Sequence, residues 1–140
     1  MANSIISSMK PDQVLLQYFH NMADIDKALS YVHHDATFIA AFEKETDRHY
    51  FYGTYCGKEG VSTLLSKFHK DLDTQEFEIC KILADETTAL AWGRFQHRIR
   101  PTGKMFESYW AIVCEVEDGK IKYFRGFEDT GALEAAYRKD

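Results

Sequence analysis

The sequence has few of the residues that mark special classes of protein: two prolines, eight glycines and three cysteines in 140 residues. Cys56, Cys80 and Cys114 are odd in number and lie far apart without CxxC spacing, which excludes a disulfide framework and a cysteine zinc site. No run approaches the roughly 18 apolar residues of a membrane helix. The net charge is −5 without a cluster of lysine and arginine, which argues against a nucleic acid partner. We therefore expect a cytoplasmic protein with reduced thiols and no membrane partner.

The residues that are present suit one globular domain. Hydrophobic residues make up 45% of the chain and aromatic residues 14%, which is enough for one substantial core at this length. Residues 1–10 contain neither a long apolar run nor a cleavage motif, and we expect a flexible N-terminus there. The folded domain is predicted to span residues 11–140.

Apolar residues recur at helical spacing in three segments of the first half of the chain. Two of them begin near Pro11 and Asp24, and the third follows the turn at 57–60. Short apolar runs rich in β-formers predict strands at 37–42, 50–52, 77–83, 88–100, 104–117 and 120–127. Tight turns between the last four predict an antiparallel sheet, and Asp129 or Thr130 suits the start of a short final helix. The predicted fold class is α+β, with helices on one face of the sheet.

Four segments together resemble the SnoaL-like family, which is related to ketosteroid isomerase. They are YCGKEGV at 55–61, TGK at 102–104, EDGKI at 117–121 and FRGFEDTGAL at 124–133. The resemblance implies the cone-shaped nuclear transport factor 2-like fold, in which a curved sheet wraps around three N-terminal helices and encloses a pocket for a small organic molecule. It also implies a homodimer formed through the outer face of the sheet. The fold hosts isomerases, polyketide cyclases, dehydratases, epoxide hydrolases and non-catalytic binding domains, so it does not imply one reaction.

Strand alternation predicts which side chains of the sheet face this pocket. On strand 88–100 the resemblance places Phe95 and His97 inside, together with Ala89, Ala91, Gly93 and Ile99. The next strand is expected to direct Glu107, Tyr109, Ala111 and Val113 inward, and the last strand Phe124, Gly126 and Glu128. The expected outer face carries Trp92, Arg94, Trp110, Ile112 and Cys114. Its apolar members predict the interface of a homodimer.

His97 is the leading candidate for a catalytic residue, because an imidazole that titrates near neutrality can accept and return a proton. Glu107, Tyr109 and Glu128 are its candidate partners. Non-catalytic interpretations of two of these residues stay open. His97 can be an ordinary polar residue near the mouth of the sheet, and Glu128 can be a solvated residue at the end of the sheet.

Tyr18 aligns with the helix tyrosine that donates to the substrate oxyanion in steroid isomerases, although a core tyrosine is the alternative. The other two catalytic positions of those enzymes fall on Ala40 and Ala111, so their mechanism is not supported. Epoxide hydrolysis is disfavoured too, because Gly126 stands where that chemistry needs a carboxylate.

Two hypotheses of function follow. The first is an enzyme that moves protons on a small apolar carbonyl or polyketide-like compound in an aromatic cavity. The second is a ligand-binding or dimerisation domain without catalysis. The expected ligand-binding residues are Phe38, Ala40, Phe42, Phe95, Ala111 and Phe124. The sequence contains no phosphate-binding glycine loop, so no cofactor is expected. A metal site at His33, His34 and Asp35 is not expected, because neighbours on an extended chain point in opposite directions.

Overall fold

A computed structural model describes residues 9–140 of the chain. The predicted flexible N-terminus at 1–10 therefore lies almost wholly outside the described residues. The helices are α1 (Pro11–His20), α2 (Ile25–Leu29), α3 (Gly57–Asp71) and α4 (Thr130–Ala136). The strands are β1 (Val32–Ala40), β2 (Gly53–Cys56), β3 (Leu72–Ala84), β4 (Thr88–Ile99), β5 (Met105–Glu117) and β6 (Lys120–Glu128).

Local capping sets where the helices begin. Pro11 occupies the first turn of α1, where its missing N–H costs no hydrogen bond. The carboxylate of Asp24 accepts from the backbone N–H of Lys27 at the start of α2, and that of Asp129 accepts from Ala132 at the start of α4. No helix among residues 9–140 has the length and apolar character needed to cross a membrane.

The six strands form one curved, open sheet in the order β2-β1-β6-β5-β4-β3. Every neighbouring pair is antiparallel except β1 and β6, which run parallel. The expectation of a wholly antiparallel sheet was therefore wrong for this pair. The short strand expected at 50–52 is also displaced, because β2 spans Gly53–Cys56 and pairs with β1. The α+β cone with helices against the concave face is confirmed.

The register of β5 differs by one residue from the expectation. Ile99 donates its backbone N–H to the carbonyl of Lys104, so four residues separate the paired ends of the β4–β5 hairpin. An even-numbered loop pairs odd-numbered residues of β4 with even-numbered residues of β5, as in the pairs of Gly93 with Trp110 and His97 with Phe106. Trp110, Ile112 and Cys114 are accordingly buried on the concave side, and Glu107, Tyr109 and Ala111 lie on the outer side.

The turn between β5 and β6 gives a stability prediction. Asp118 and Gly119 have φ angles of 54° and 72°, which only glycine adopts without steric cost. We expect Gly119→Val to lower the free energy of unfolding by about 1–2 kcal/mol, because a β-branched residue is strained in the left-handed region. Urea denaturation measures this loss, and an unchanged midpoint would contradict the turn geometry.

Candidate functional site

A cavity of about 610 Å³ lies between the helices and the concave face of the sheet. Its wall is mainly aromatic and aliphatic, with few polar groups, as in most sites for small organic molecules. The polar or charged residues among those that line it are His69, Thr74, His97, Arg100 and Glu128.

One side of the cavity is an aromatic cluster of Phe19, Phe77 and Trp110. The rings of Phe77 and Trp110 stack with centroids 5.2 Å apart, and Phe19 meets the edge of Trp110 at 5.4 Å. The indole of Trp110 fits because Gly93 faces it without a side chain. A Cβ on Gly93 would lie 2.6 Å from Cζ2 of Trp110 and 1.9 Å from the backbone oxygen of Glu78. The Nε1 of Trp110 is buried and has no hydrogen-bonding partner within residues 9–140.

The structure brings some of the sequence-predicted residues together at this cavity. Phe95, His97, Ala111, Phe124 and Glu128 all line it. The alternation of side chains along β4 and β6 predicted this position correctly for four of them, which are Phe95, His97, Phe124 and Glu128. The side chain of Ala111 was expected inside, but its register with Trp92 puts it on the outer face.

Tyr109 and Glu107 do not face the cavity, in contrast to the expectation. Tyr109 is 68% exposed, and Glu107 accepts a hydrogen bond from Gln96 on the outer face. Both border a shallow depression of about 440 Å³ on that side. The reason is the even-numbered hairpin loop, which exchanges the two faces of β5.

Tyr18 and Phe38 are core residues behind the cavity wall. Phe38 stacks on Phe124 with ring centroids 4.6 Å apart, and Tyr18 packs against both rings at 5.8 and 5.6 Å. Burial raises the pKa of Tyr18 well above its ordinary value. Ala40 pairs with Gly53 and Gly126, and Phe42 packs against Tyr52 beyond the end of β1. None of these four is among the residues that line the cavity.

Glu128 is the acidic residue of the cavity wall. It ends β6, and its cross-strand partner is Trp110. Its carboxyl group forms no hydrogen bond or ion pair with any residue of the described chain. Burial, with a smaller contribution from the charge of Asp129, raises the pKa of Glu128 to about 7. A carboxyl group with this pKa exchanges protons readily at neutral pH, so it suits general acid–base chemistry.

His97 has a different electrostatic character. Its Nδ1 lies 2.8 Å from the hydroxyl oxygen of Thr74, and its ring packs 4.3 Å from that of Phe95. Burial lowers the pKa of His97 to about 4, so the imidazole is uncharged at neutral pH. When Thr74 donates to Nδ1, the proton of the neutral ring is on Nε2. His97 is therefore a hydrogen-bonding group rather than a carrier of charge.

The geometric argument against His33, His34 and Asp35 was wrong. Their potential ligand atoms lie within 4.8 Å of one another, and the two imidazole rings stack with centroids 4.4 Å apart. Alternation fails there because the β1–β6 register shifts between Val32 and Thr37. The carboxylates of the cluster have partners of opposite charge nearby. Nε2 of His33 lies 3.2 Å from the carboxylate of Glu117, and Lys122 forms ion pairs with the carboxylates of both Glu117 and Asp35.

Sequence reasoning missed several cavity residues. Phe19 was not singled out within the helical segment that begins near Pro11, and Trp110 was assigned to the wrong face. Thr74 lies beside His97 because β3 begins at Leu72, directly after α3, and pairs with the end of β4. Arg100, which follows β4, lines the same cavity. The sequence 72–76 contains four polar or acidic residues and gave no strand signal of its own.

The raised pKa of Glu128 predicts a pH-dependent stability. The carboxyl group titrates at about 7 in the folded protein and near 4.5 when unfolded, so its contribution is present below pH 4.5 and lost as the pH rises to about 7. Glu128→Gln removes this loss. We expect the variant to exceed the wild type in free energy of unfolding by up to about 3 kcal/mol at pH 8, and to match it near pH 4.5. Urea denaturation at both pH values measures the difference, and parallel pH profiles would contradict it.

The architecture is that of the nuclear transport factor 2-like proteins, with a cavity inside a cone of sheet and helices. The model of the SnoaL-like domain family matches residues 16–124, and the chain belongs to that family. Among curated proteins, no sequence matches the chain.

Solved structures show the same fold. One is a nuclear transport factor 2-like protein of Burkholderia xenovorans LB400, at 24% identity and a TM-score of 0.78 over 90% of this chain and 94% of that one. Another is TerC co-crystallised with polyporic acid, at 18% identity and a TM-score of 0.76 over 89% and 95%. A third is a protein of Catenulispora acidiphila DSM 44928 with a ketosteroid isomerase-like fold, in complex with trimethylamine, at 11% identity and a TM-score of 0.68 over 85% and 86%.

Proposed function

We propose that this protein catalyses proton transfer on a small, largely apolar carbonyl compound, with Glu128 as the group that carries the proton. One observation carries the proposal: an unpaired carboxyl group with a pKa of about 7 lines an aromatic cavity of about 610 Å³. Isomerisation, cyclisation and dehydration of such compounds all begin with removal of a proton from carbon. A base that titrates near the working pH performs this step best.

In this reaction the Glu128 carboxylate takes a proton from the carbon next to the carbonyl group. The electron pair of the broken C–H bond forms the enolate, and the negative charge moves to the oxygen. Return of the proton from Glu128 to carbon completes an isomerisation. Trp110, the cross-strand neighbour of Glu128, lines the cavity beside it. This assigns the proton transfer to Glu128 and leaves His97 as a neutral hydrogen-bonding group.

Relatives in fold support a small organic ligand. TerC was crystallised with polyporic acid, and the Catenulispora protein holds trimethylamine. The proposal for this chain depends on its own cavity, because the steroid-isomerase positions carry Ala40 and Ala111.

The test uses β-tetralone, a bicyclic apolar ketone, in D₂O. We expect the protein to accelerate exchange of its α-hydrogens for deuterium, followed by NMR, and to bind β-naphthol, which resembles the enol, in a fluorescence titration. Binding of β-naphthol without accelerated exchange would reject catalysis of this kind and favour the alternative of a non-catalytic binding domain.

We also propose a homodimer formed through the outer face of the sheet. Of the residues expected to form its apolar patch, only Trp92 is there. The patch consists instead of exposed residues on β3, β4, β5 and β6 whose registers place them on one side: Leu83, Leu90, Trp92, Tyr109 and Phe127. Trp92 is 48% exposed in the single chain, and its ring centroid lies 6.2 Å from that of Tyr109. A contiguous apolar face of this kind is typical of an interface.

The dimer gives a direct prediction. Light scattering at micromolar concentration should give twice the 16.2 kDa mass of one chain. Trp92→Lys should give the mass of one chain, because a charge at the centre of the patch would be buried without a partner. Lys58→Gln, on the exposed start of α3, is the control and should leave the mass unchanged. A monomeric wild-type protein would refute the proposal.

A further inference from the structure

Four of the five polar residues of the cavity lie in two places, and the fifth, His69, contacts the backbone oxygen of Met22 through Nε2 at 2.7 Å. Glu128 lies in the same cross-strand row as Trp110 and Gly93. His97 lies four residues further along β4 than Gly93, which is about 13 Å along the strand. The row between the two places contains the apolar pair Phe77 and Phe95, and both line the cavity. A ligand that uses both ends therefore has an apolar body with a polar group at each end.

The end that contains His97 has the character of an anion site. Arg100, an exposed residue directly after β4, is among the lining residues, and its guanidinium group forms no ion pair among residues 9–140. Its one hydrogen bond is a long one of 3.5 Å to the backbone oxygen of Leu72. The Nε2 of His97 has no partner within the same residues, and the Thr74 contact leaves it free to donate. A guanidinium group and a neutral N–H donor at the same end of a cavity are together suited to a carboxylate.

The distribution of charge within the cavity supports the same assignment. Glu128 is the one carboxylate and Arg100 the one lysine or arginine among the described residues that line the wall. Asp71, whose backbone oxygen accepts from the backbone N–H of Arg100, also accepts at Oδ2 from the hydroxyl groups of Tyr50 and Tyr137, each at 2.6 Å. Asp73 is the register partner of Arg98, on the outer side of the sheet. The arginine is therefore available to a ligand.

We infer that the ligand is an acid: a flat, apolar carbonyl compound with a carboxylate bound by Arg100 and His97, and a reacting carbonyl end held at Glu128. The inference rests on the proposed function for the role of the Glu128 end. The carboxylate fixes the orientation of the ligand and presents the carbon next to the carbonyl group to Glu128.

A pair of rigid compounds tests this. β-Naphthol has a hydroxyl group alone, and 6-hydroxy-2-naphthoate adds a carboxylate at the far end of the same ring system. We expect the naphthoate to bind at least about tenfold more tightly at pH 7.5 in a fluorescence titration. In Arg100→Gln the preference should fall below about twofold, and in Arg100→Lys, which keeps the charge, it should be partly retained. Arg98→Gln, two residues earlier on the outer face, is the matched control and should keep the full preference.

The outcomes separate the two proposals. Equal binding of the two compounds by the wild type, or a preference that survives in Arg100→Gln, overturns the acid inference even when β-tetralone exchange is accelerated. A preference that depends on Arg100, without accelerated exchange, supports the acid ligand and rejects only the proton transfer. Circular dichroism of each variant verifies that a lost preference does not arise from unfolding.

Discussion

Glu128→Gln is expected to slow the exchange of α-hydrogens of β-tetralone by about 100-fold or more. The amide has nearly the shape of the carboxyl group but cannot accept the proton from carbon. The same variant is expected to be more stable than the wild type at pH 8, so a loss of rate cannot be ascribed to a weakened fold. NMR of the exchange in D₂O measures the effect.

The pH dependence of this reaction identifies the group. The base must be deprotonated, so the wild-type rate should rise with pH and level off above a midpoint near 7, the pKa to which burial raises Glu128. This rise of the rate with pH should be absent from the residual activity of Glu128→Gln. Glu107→Gln, on the outer face of β5, is the matched control and should retain the wild-type profile. A midpoint near 4.5, or a Glu128→Gln variant as fast as the wild type, would remove Glu128 from the mechanism.

Gly93→Ala is expected to cause the largest loss of stability, about 3 kcal/mol or more. The added Cβ would lie 1.9 Å from the backbone oxygen of Glu78, and strand β3 must shift to make room. It would also displace the indole of Trp110, which forms a wall of the cavity. For a domain of this size we expect a fall in melting temperature of about 10 °C, measured by calorimetry.

Gly126→Ala is the matched control for this change. Gly126 is also a strand residue on the concave face, but a Cβ there would approach only a ring carbon of Phe124, at 4.0 Å. Its melting temperature should change little or rise, because the unfolded chain has less conformational entropy to lose with alanine than with glycine. Similar losses in the two variants would contradict the close approach of Trp110 to Gly93.

Much of the fold could be predicted from the sequence because its signals are local. Helical spacing after Pro11, a carboxylate cap at Asp24 and the Asp118-Gly119 turn each act over a few residues, and the structure has all three. Alternation within a single strand is equally local. It therefore placed Phe95, His97, Phe124 and Glu128 on the cavity side correctly.

What depends on contacts between distant segments could not be predicted in this way. The number of residues in the β4–β5 loop determines which side chains of β5 face the cavity. A loop one residue longer or shorter would place Tyr109 there instead of Trp110. The convergence of His33, His34 and Asp35 follows from a register shift against β6.

The sequence by itself determined the family, the order of elements and most of the residues on the concave face, because short-range backbone and side-chain preferences govern these. Only the tertiary structure decided which of the two candidate residues titrates near neutrality. His97 has the ordinary pKa closer to neutrality, yet burial lowers it to about 4 and raises that of Glu128 to about 7. Burial in an apolar cavity disfavours the charged form of both groups, and this cost depends on the surroundings that the folded chain creates.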